Sequence, residues 1–431
     1  MRLGLFWGLL ALSAEGQTTQ GVKPLIEIVR STGLADSPKV PYSPRPLELA
    51  AGQTSREPAA ATRDYVRALG SVSQNSRTPG SPGAGQWHIL WDSPLPSPVS
   101  AVMVAGSRVL VQRGGGWTLF DRGGKQIAEG VSGGAVITAD PRAGAFYSLG
   151  NGNFLQAIAL DNGDIRFTIP LGHNESFAWP MFDRSGKRII AAGVEQPRLA
   201  PKPRPTEALF QVTEVATPLK LSPYKVLLSM DYHQDLVFRA PNMIPVASGD
   251  ILWAVLPDLL IRTSPAQNIE GAWSGSFRAI SASADETGWL HMVVASGATG
   301  NGDRELWIVT PQGRRTAHAK VPPACRESKY PPAIGYDHRV YLVGSQSVAA
   351  FSPDGRLLWE SEPLSSIAGV SVTPDHRVVV ASGSEIIVLD SNGKPTRLAK
   401  LSSPARTCPV VTAEGEILVG TESNVLCLAP R

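Results

Sequence analysis

An all-β architecture built from tandem units is what this sequence predicts, and three observations carry it. A pattern of short apolar segments recurs about every 40 residues. It is clearest in residues 338–344, running on to 352–356, and again in residues 376–380, running on to 390–394. Turn glycines keep the same interval: Gly124 to Gly163 is 39 residues, Gly313 to Gly355 is 42 and Gly355 to Gly393 is 38. From Trp87 onward helical periodicity is nearly absent, and apolar residues sit in short runs at strand spacing.

Each unit opens on an apolar strand, often after a proline, as at Pro98-Val99, Pro245-Val246, Pro332-Ala333-Ile334 and Pro409-Val410-Val411. A polar turn comes next, then a second strand rich in β-branched residues, as in 108–111, 188–190 and 417–419. A third strand ends in a turn carrying glycine, and a fourth often carries an aromatic, such as Phe167, Trp273 or Trp359. Strands of about five or six residues and turns of about four make about 40 residues for four strands. Tandem four-stranded units of that length predict a β-propeller. Openings fall near Val99, Gly134, Phe177, Asn242, Phe277, Tyr330, Ile367 and Thr407, so eight blades are expected. Seven is the alternative, because residues 224–239 fit the repeat poorly. The last unit runs out at Arg431 after three strands. Trp87-His88-Ile89-Leu90-Trp91 reads as an orphan fourth strand whose addition to that unit closes the ring and removes an open edge.

Residues 1–16 read as a signal peptide: Arg2 supplies the positive charge, residues 3–12 the apolar region and Ala14-Glu15-Gly16 the cleavage site. No cysteine stands there for lipid attachment, and no later segment is apolar enough to span a bilayer as a helix. A secreted or periplasmic location is expected. Residues 17–86 are rich in Pro, Gly and Ser and read as a disordered linker, with one short helix expected near residues 57–69. The propeller is expected over residues 87–431. The 40 Lys and Arg against 37 Asp and Glu leave a net charge of +3 and no basic run, which argues against nucleic acid as a partner. The three cysteines, Cys325, Cys408 and Cys427, show no zinc or haem spacing. Cys408 and Cys427 share the last unit, where a disulfide and two buried thiols are both open readings.

The units resemble the PQQ-like, quinoprotein-type β-propeller repeats. Residues 157–167, 348–359 and 387–394 carry the resemblance: a small apolar strand, Asp or Pro, a tight turn with Gly, then an aromatic four residues on. In that family the aromatic docks between neighbouring blades. The resemblance gives Phe167 and Trp359 that role, while Arg397 and Ala317 stand where an aromatic is expected. The family divides into dehydrogenases holding pyrroloquinoline quinone and Ca²⁺, and non-catalytic propellers that bind partner proteins. The enzymes carry adjacent cysteines against the quinone, and this chain has none. No cofactor is therefore expected, with quinone and Ca²⁺ as the alternative.

Motifs for chemistry are weak. Gly130-Val131-Ser132-Gly133-Gly134 matches G-x-S-x-G, but the nucleophile elbow needs a following helix, and the segment joins two β-units. His338 and His376 occupy equivalent turns, each after Asp, and repeat equivalence explains them. Asp161-Asn162-Gly163-Asp164 and Asn301-Gly302-Asp303 lack the loop spacing for Ca²⁺. Two insertions stand out. Residues 195–207 form a Pro-stiffened basic loop whose Arg198, Lys202 and Arg204 are the candidate partner-binding residues, and residues 296–304 form a Gly-rich loop. The expectation is an exported, non-enzymatic scaffold for a protein or envelope partner. A quinone-dependent oxidoreductase or its remnant, and a carbohydrate hydrolase or lyase, are the alternatives.

Overall fold

The computed structural model describes residues 45–46, 76–131, 138–141, 144–150, 154–170, 181–182, 188–195, 209–216, 225–226, 244–248, 251–255, 259–263, 269–274, 277–296, 303–326 and 330–431. All lie in the compact unit Pro38–Arg431. These residues form eight antiparallel sheets, each hydrogen-bonded in chain order. The first comprises Val99–Ala105, Arg108–Arg113, Gly116–Asp121 and Gln126–Val131. The second runs from Thr138–Asp140 to Ile165–Pro170, the third from Met181–Phe182 to Lys225–Val226, and the fourth from Ile244–Ser248 to Ile269–Ser274. Phe277–Ala284 opens the fifth, Ala333–Ile334 the sixth and Ile367–Val372 the seventh. Val410–Val411, Ile417–Gly420 and Asn424–Pro430 make the eighth, completed by Trp87–Pro94. The closing strand is antiparallel, with Trp87 opposite Pro430 and Pro94 opposite Asn424. The expected N-terminal closure is therefore present, and the eight openings read from the sequence each fall at or just before the first strand of a sheet. Lys225–Val226, inside the segment that fitted the repeat poorly, is the fourth strand of the third sheet.

The first three strands of each well-described sheet are apolar and buried, whereas the fourth is largely exposed. In the sixth sheet Val340–Val343 and Val348–Phe351 are wholly buried while Leu357–Glu360 is not. First strands of successive sheets touch one another, from the fourth to the seventh and from the first to the second and eighth. They form the inner wall. The cores lie between neighbouring sheets. Val104, Val111 and Phe120 pack with Val410, Leu418 and Val425, and Tyr341, Val348 and Ala350 pack with Val370, Val380 and Ile387. Each fully buried Val, Leu, Ile or Phe among them stabilises the ring by about 1.5–3 kcal/mol relative to exposure.

The fourth-strand aromatics lock this packing. Trp359 of the sixth sheet lies over Gly393 of the seventh and donates its indole N–H to Ser391 O at 2.9 Å. Trp91 does the same over Gly124 with Arg122 O at 2.9 Å, and Trp273 covers Gly313. Gly393 has a φ of 81°, which favours glycine, and an added Cβ would sit 2.6 Å from the Trp359 ring. Ala317 occupies the same place against Gly355, so the small residue is a substitution within the device. Phe167 lies 6.4 Å from Tyr147 in its own sheet, and its neighbour across the next interface is outside the described residues.

One boundary moves. Composition places residues 76–86 in the linker, yet Arg77 is 3% exposed and Thr78 is fully buried. Composition misleads here because the partners of this segment lie more than 200 residues away in sequence. Arg45–Pro46 pairs in parallel with Trp273 and Ser274, adding a fifth strand to the fourth sheet. The helix expected near 57–69 lies outside the described residues.

Candidate functional site at the turn face

Four successive first strands end in turns with one geometry, at residues 285–289, 335–339, 373–377 and 412–416. In each, the first residue donates its N–H to the carbonyl of the fifth, at 3.0, 2.8, 3.0 and 2.8 Å. The fourth residue donates back to the first. That fourth residue has positive φ: Gly288 at 91°, His338 at 62°, His376 at 64° and Gly415 at 84°. Two histidines thus take a backbone conformation that side chains other than glycine adopt at a cost.

The conformation aims each imidazole at the turn of the preceding sheet. His338 Nδ1 lies 3.3 Å from Asp285 Oδ2, and His376 Nδ1 lies 3.5 Å from Asp337 Oδ2. Asp285 is fully buried. Its Oδ1 accepts from the Thr287 N–H at 2.9 Å, the Thr287 hydroxyl at 2.7 Å and the Trp289 N–H at 3.1 Å. Buried His291 approaches Oδ2 at 3.9 Å. Burial works against the charge of Asp285. The neighbouring imidazoles of His291 and His338, together with the Thr287 hydroxyl, outweigh it and hold the carboxyl well below the usual range.

Residues 76–86 lie along these turns. The Thr78 N–H donates to Val372 O at 3.0 Å and the Val372 N–H to Ser76 O at 2.9 Å, a parallel bridge between the segment and the inner strand of the seventh sheet. The Thr78 hydroxyl donates to Val411 O at 2.6 Å and accepts from the Val411 N–H at 2.7 Å. Arg77 enters the gap between the turns of the fifth and sixth sheets. Its Nε donates to Ile334 O at 3.0 Å and Nη2 to Gly335 O at 2.6 Å, while Nη1 pairs with the Glu286 carboxylate. The guanidinium stacks 4.9 Å from the centre of the Tyr336 ring, whose hydroxyl donates to Thr78 O at 2.9 Å. Further along, Arg377 Nη2 donates to Pro82 O at 2.9 Å, and a Cβ at Gly80 would meet Thr412 O at 1.8 Å. The segment is thus bound, side chain and backbone, across four sheets.

Most residues singled out in the sequence do not join this site. Arg198, Lys202 and Arg204 lie outside the described residues. Gly130 and Val131 end an outer strand, with Gly130 against the Trp117 ring. Asn162 and Asp164 bond each other in an exposed turn, and Asp303 pairs with Arg326 at 3.1 Å. Cys325, Cys408 and Cys427 are free, buried thiols, and burial pushes Cys408 up to about 11 and Cys427 up to about 12. His338 and His376 do belong to the site. Their repeat equivalence was visible, but their contacts with the preceding sheet were not. Asp285, His291 and Arg77 were missed, since no local motif marks them.

No set of three or more His, Cys, Asp or Glu arranged to hold a metal ion occurs among the described residues.

No family model matches the chain, and no curated protein matches it. Solved structures do. The chain is similar to BamB from Moraxella catarrhalis at 12% identity and a TM-score of 0.54, covering 80% of this chain and 99% of that one. It is similar to the quinohemoprotein alcohol dehydrogenase ADHIIG from Pseudomonas putida HK5 at 9% identity and a TM-score of 0.57, covering 85% and 80%. A computationally designed protein, Ika8, matches at 13% identity and a TM-score of 0.51, covering 77% and 96%. With the eight sheets and the closing strand, these likenesses establish the fold as a β-propeller.

Proposed function

We propose that this protein is an exported, non-enzymatic propeller scaffold that binds a protein or cell-envelope partner. The observation that carries this reading is the turn face itself. Its charged and polar groups hold a polypeptide segment of the same chain, and Asp285, Glu286 and Arg77 are engaged by protein rather than aimed at an open cavity. Likeness in fold to BamB agrees with it, and likeness to the dehydrogenase makes the oxidoreductase the reading to exclude. The basic insertion with Arg198, Lys202 and Arg204 is a second contact in this proposal, suited to an acidic partner surface. Export and a secreted or periplasmic location belong to the same proposal. Among the described residues no helix is long and apolar enough to cross a membrane.

The decisive test is thermal unfolding of the mature protein titrated with pyrroloquinoline quinone, with and without Ca²⁺. A ligand at 100 times its dissociation constant stabilises the native state by about 2.7 kcal/mol. The scaffold reading expects an unchanged midpoint. A saturable rise that requires both quinone and Ca²⁺ overturns it in favour of the oxidoreductase.

A further inference from the structure

We infer that the turn face of the fifth to eighth sheets is a binding site for an extended, arginine-bearing polypeptide segment, occupied here in cis by residues 76–80. The partner class follows from what the site recognises. Ile334 O, Gly335 O and the Glu286 carboxylate receive three different nitrogens of one guanidinium, and Tyr336 supplies a face for it to stack on. A planar fork satisfies all of these at once, whereas an ammonium is a single point charge. Val372 then reads backbone on both sides of the arginine, as in strand addition, and Val411 reads the hydroxyl of the next residue with both its N–H and its C=O. The preferred occupant is therefore an extended segment with Arg followed by Thr or Ser.

Such a pocket is more than a chain needs to hold its own tether. Trp87–Pro94 already fastens the N-terminal side through a seven-pair ladder with Asn424–Pro430. The tether raises its own effective concentration to the millimolar range, so the cis segment behaves as a resident competitor that a partner segment displaces. The use of the site rests on the scaffold reading. Its existence does not.

The probe is a labelled peptide of residues 74–84, titrated into the full chain carrying Arg77→Ala and Thr78→Ala, with binding read by fluorescence anisotropy. Saturable binding is expected, at least tenfold tighter than to the unsubstituted chain, whose site is filled. The peptide with Lys in place of Arg should bind at least tenfold more weakly. No binding to a variant that keeps its β-sheet circular dichroism and cooperative melt overturns the proposal, as does equal binding of the Lys peptide. If the variant does not fold, the unsubstituted chain serves. Peptide at about ten times the effective concentration of the tether should speed hydrogen exchange in the chain's own residues 76–80 about tenfold and leave residues 370–374 protected. Unchanged exchange at 76–80 overturns it. Loss of the peptide site would leave the scaffold reading standing, whereas quinone binding would remove the scaffold reading and leave the peptide result intact.

Discussion

The turns at residues 335–339 and 373–377 share an Asp-His-Arg core and one backbone geometry, yet His338 is 1% exposed and His376 is 42% exposed. The difference comes from the neighbour. His338 faces Asp285, sealed by its own turn and by His291 from the adjacent strand, whereas His376 faces a partly solvated Asp337 that also pairs with Arg339 at 3.2 Å. One local sequence repeated along a ring therefore yields a buried structural cluster in one place and a weak surface pair in the next. Identity of motif does not carry identity of role.

The largest break in that comparison is expected from His338→Ala. It removes one partner of a buried carboxylate and should destabilise the protein by about 3–5 kcal/mol, while His376→Ala should stay below about 1 kcal/mol. Parallel urea titrations of the two variants check this. The pH dependence has a fixed sign. Asp285 is held below its ordinary value of 3.8, so its contribution is complete above that value and is lost as pH falls through the lowered one. The stability gap between the unsubstituted protein and Asp285→Asn should be widest near neutrality and narrow below about pH 4. A gap that is constant from pH 7 to pH 3 would remove the ionised Asp285 from the account.

A smaller effect, about 2–4 kcal/mol, is expected for Trp359→Ala, which empties the contact over Gly393 without touching the turn face. Ala317→Gly, at the equivalent place, should cost about 1 kcal/mol. The smallest effect is the most pointed. His376→Gly relieves a positive φ and loses little, so it should be neutral or stabilising by up to about 1 kcal/mol, whereas His338→Gly should destabilise. Denaturant midpoints should fall for His338→Gly and hold or rise for His376→Gly.

The propeller itself was legible because its signals are local and repeated. Strand runs, turn glycines and the aromatic after the turn each sit within one unit, and Trp87 to Trp91 announced closure by being a strand without a unit. Trp359, four residues after Gly355, sits within one such unit as well. Arg77 could not be seen. It stands in a Pro, Gly and Ser tract that reads as unstructured, and its burial is caused by carbonyls 257 and 258 residues further along the chain. Asp285 was hidden in the same way, since its own turn looks like any solvated Asp turn until His338 arrives from the next sheet.

The closing strand also has a consequence for the order in which the molecule is made. Most strands find their partners within a few dozen residues, but Asp92 and Asn424 meet across 332. On a growing chain, Trp87–Pro94 leaves the ribosome early and waits unpaired through the synthesis of every other sheet. The eighth sheet is completed only once Asn424–Pro430 has been made, so the ring stays open until then. Until that clasp forms, the other seven sheets have no closed ring to lock them in order.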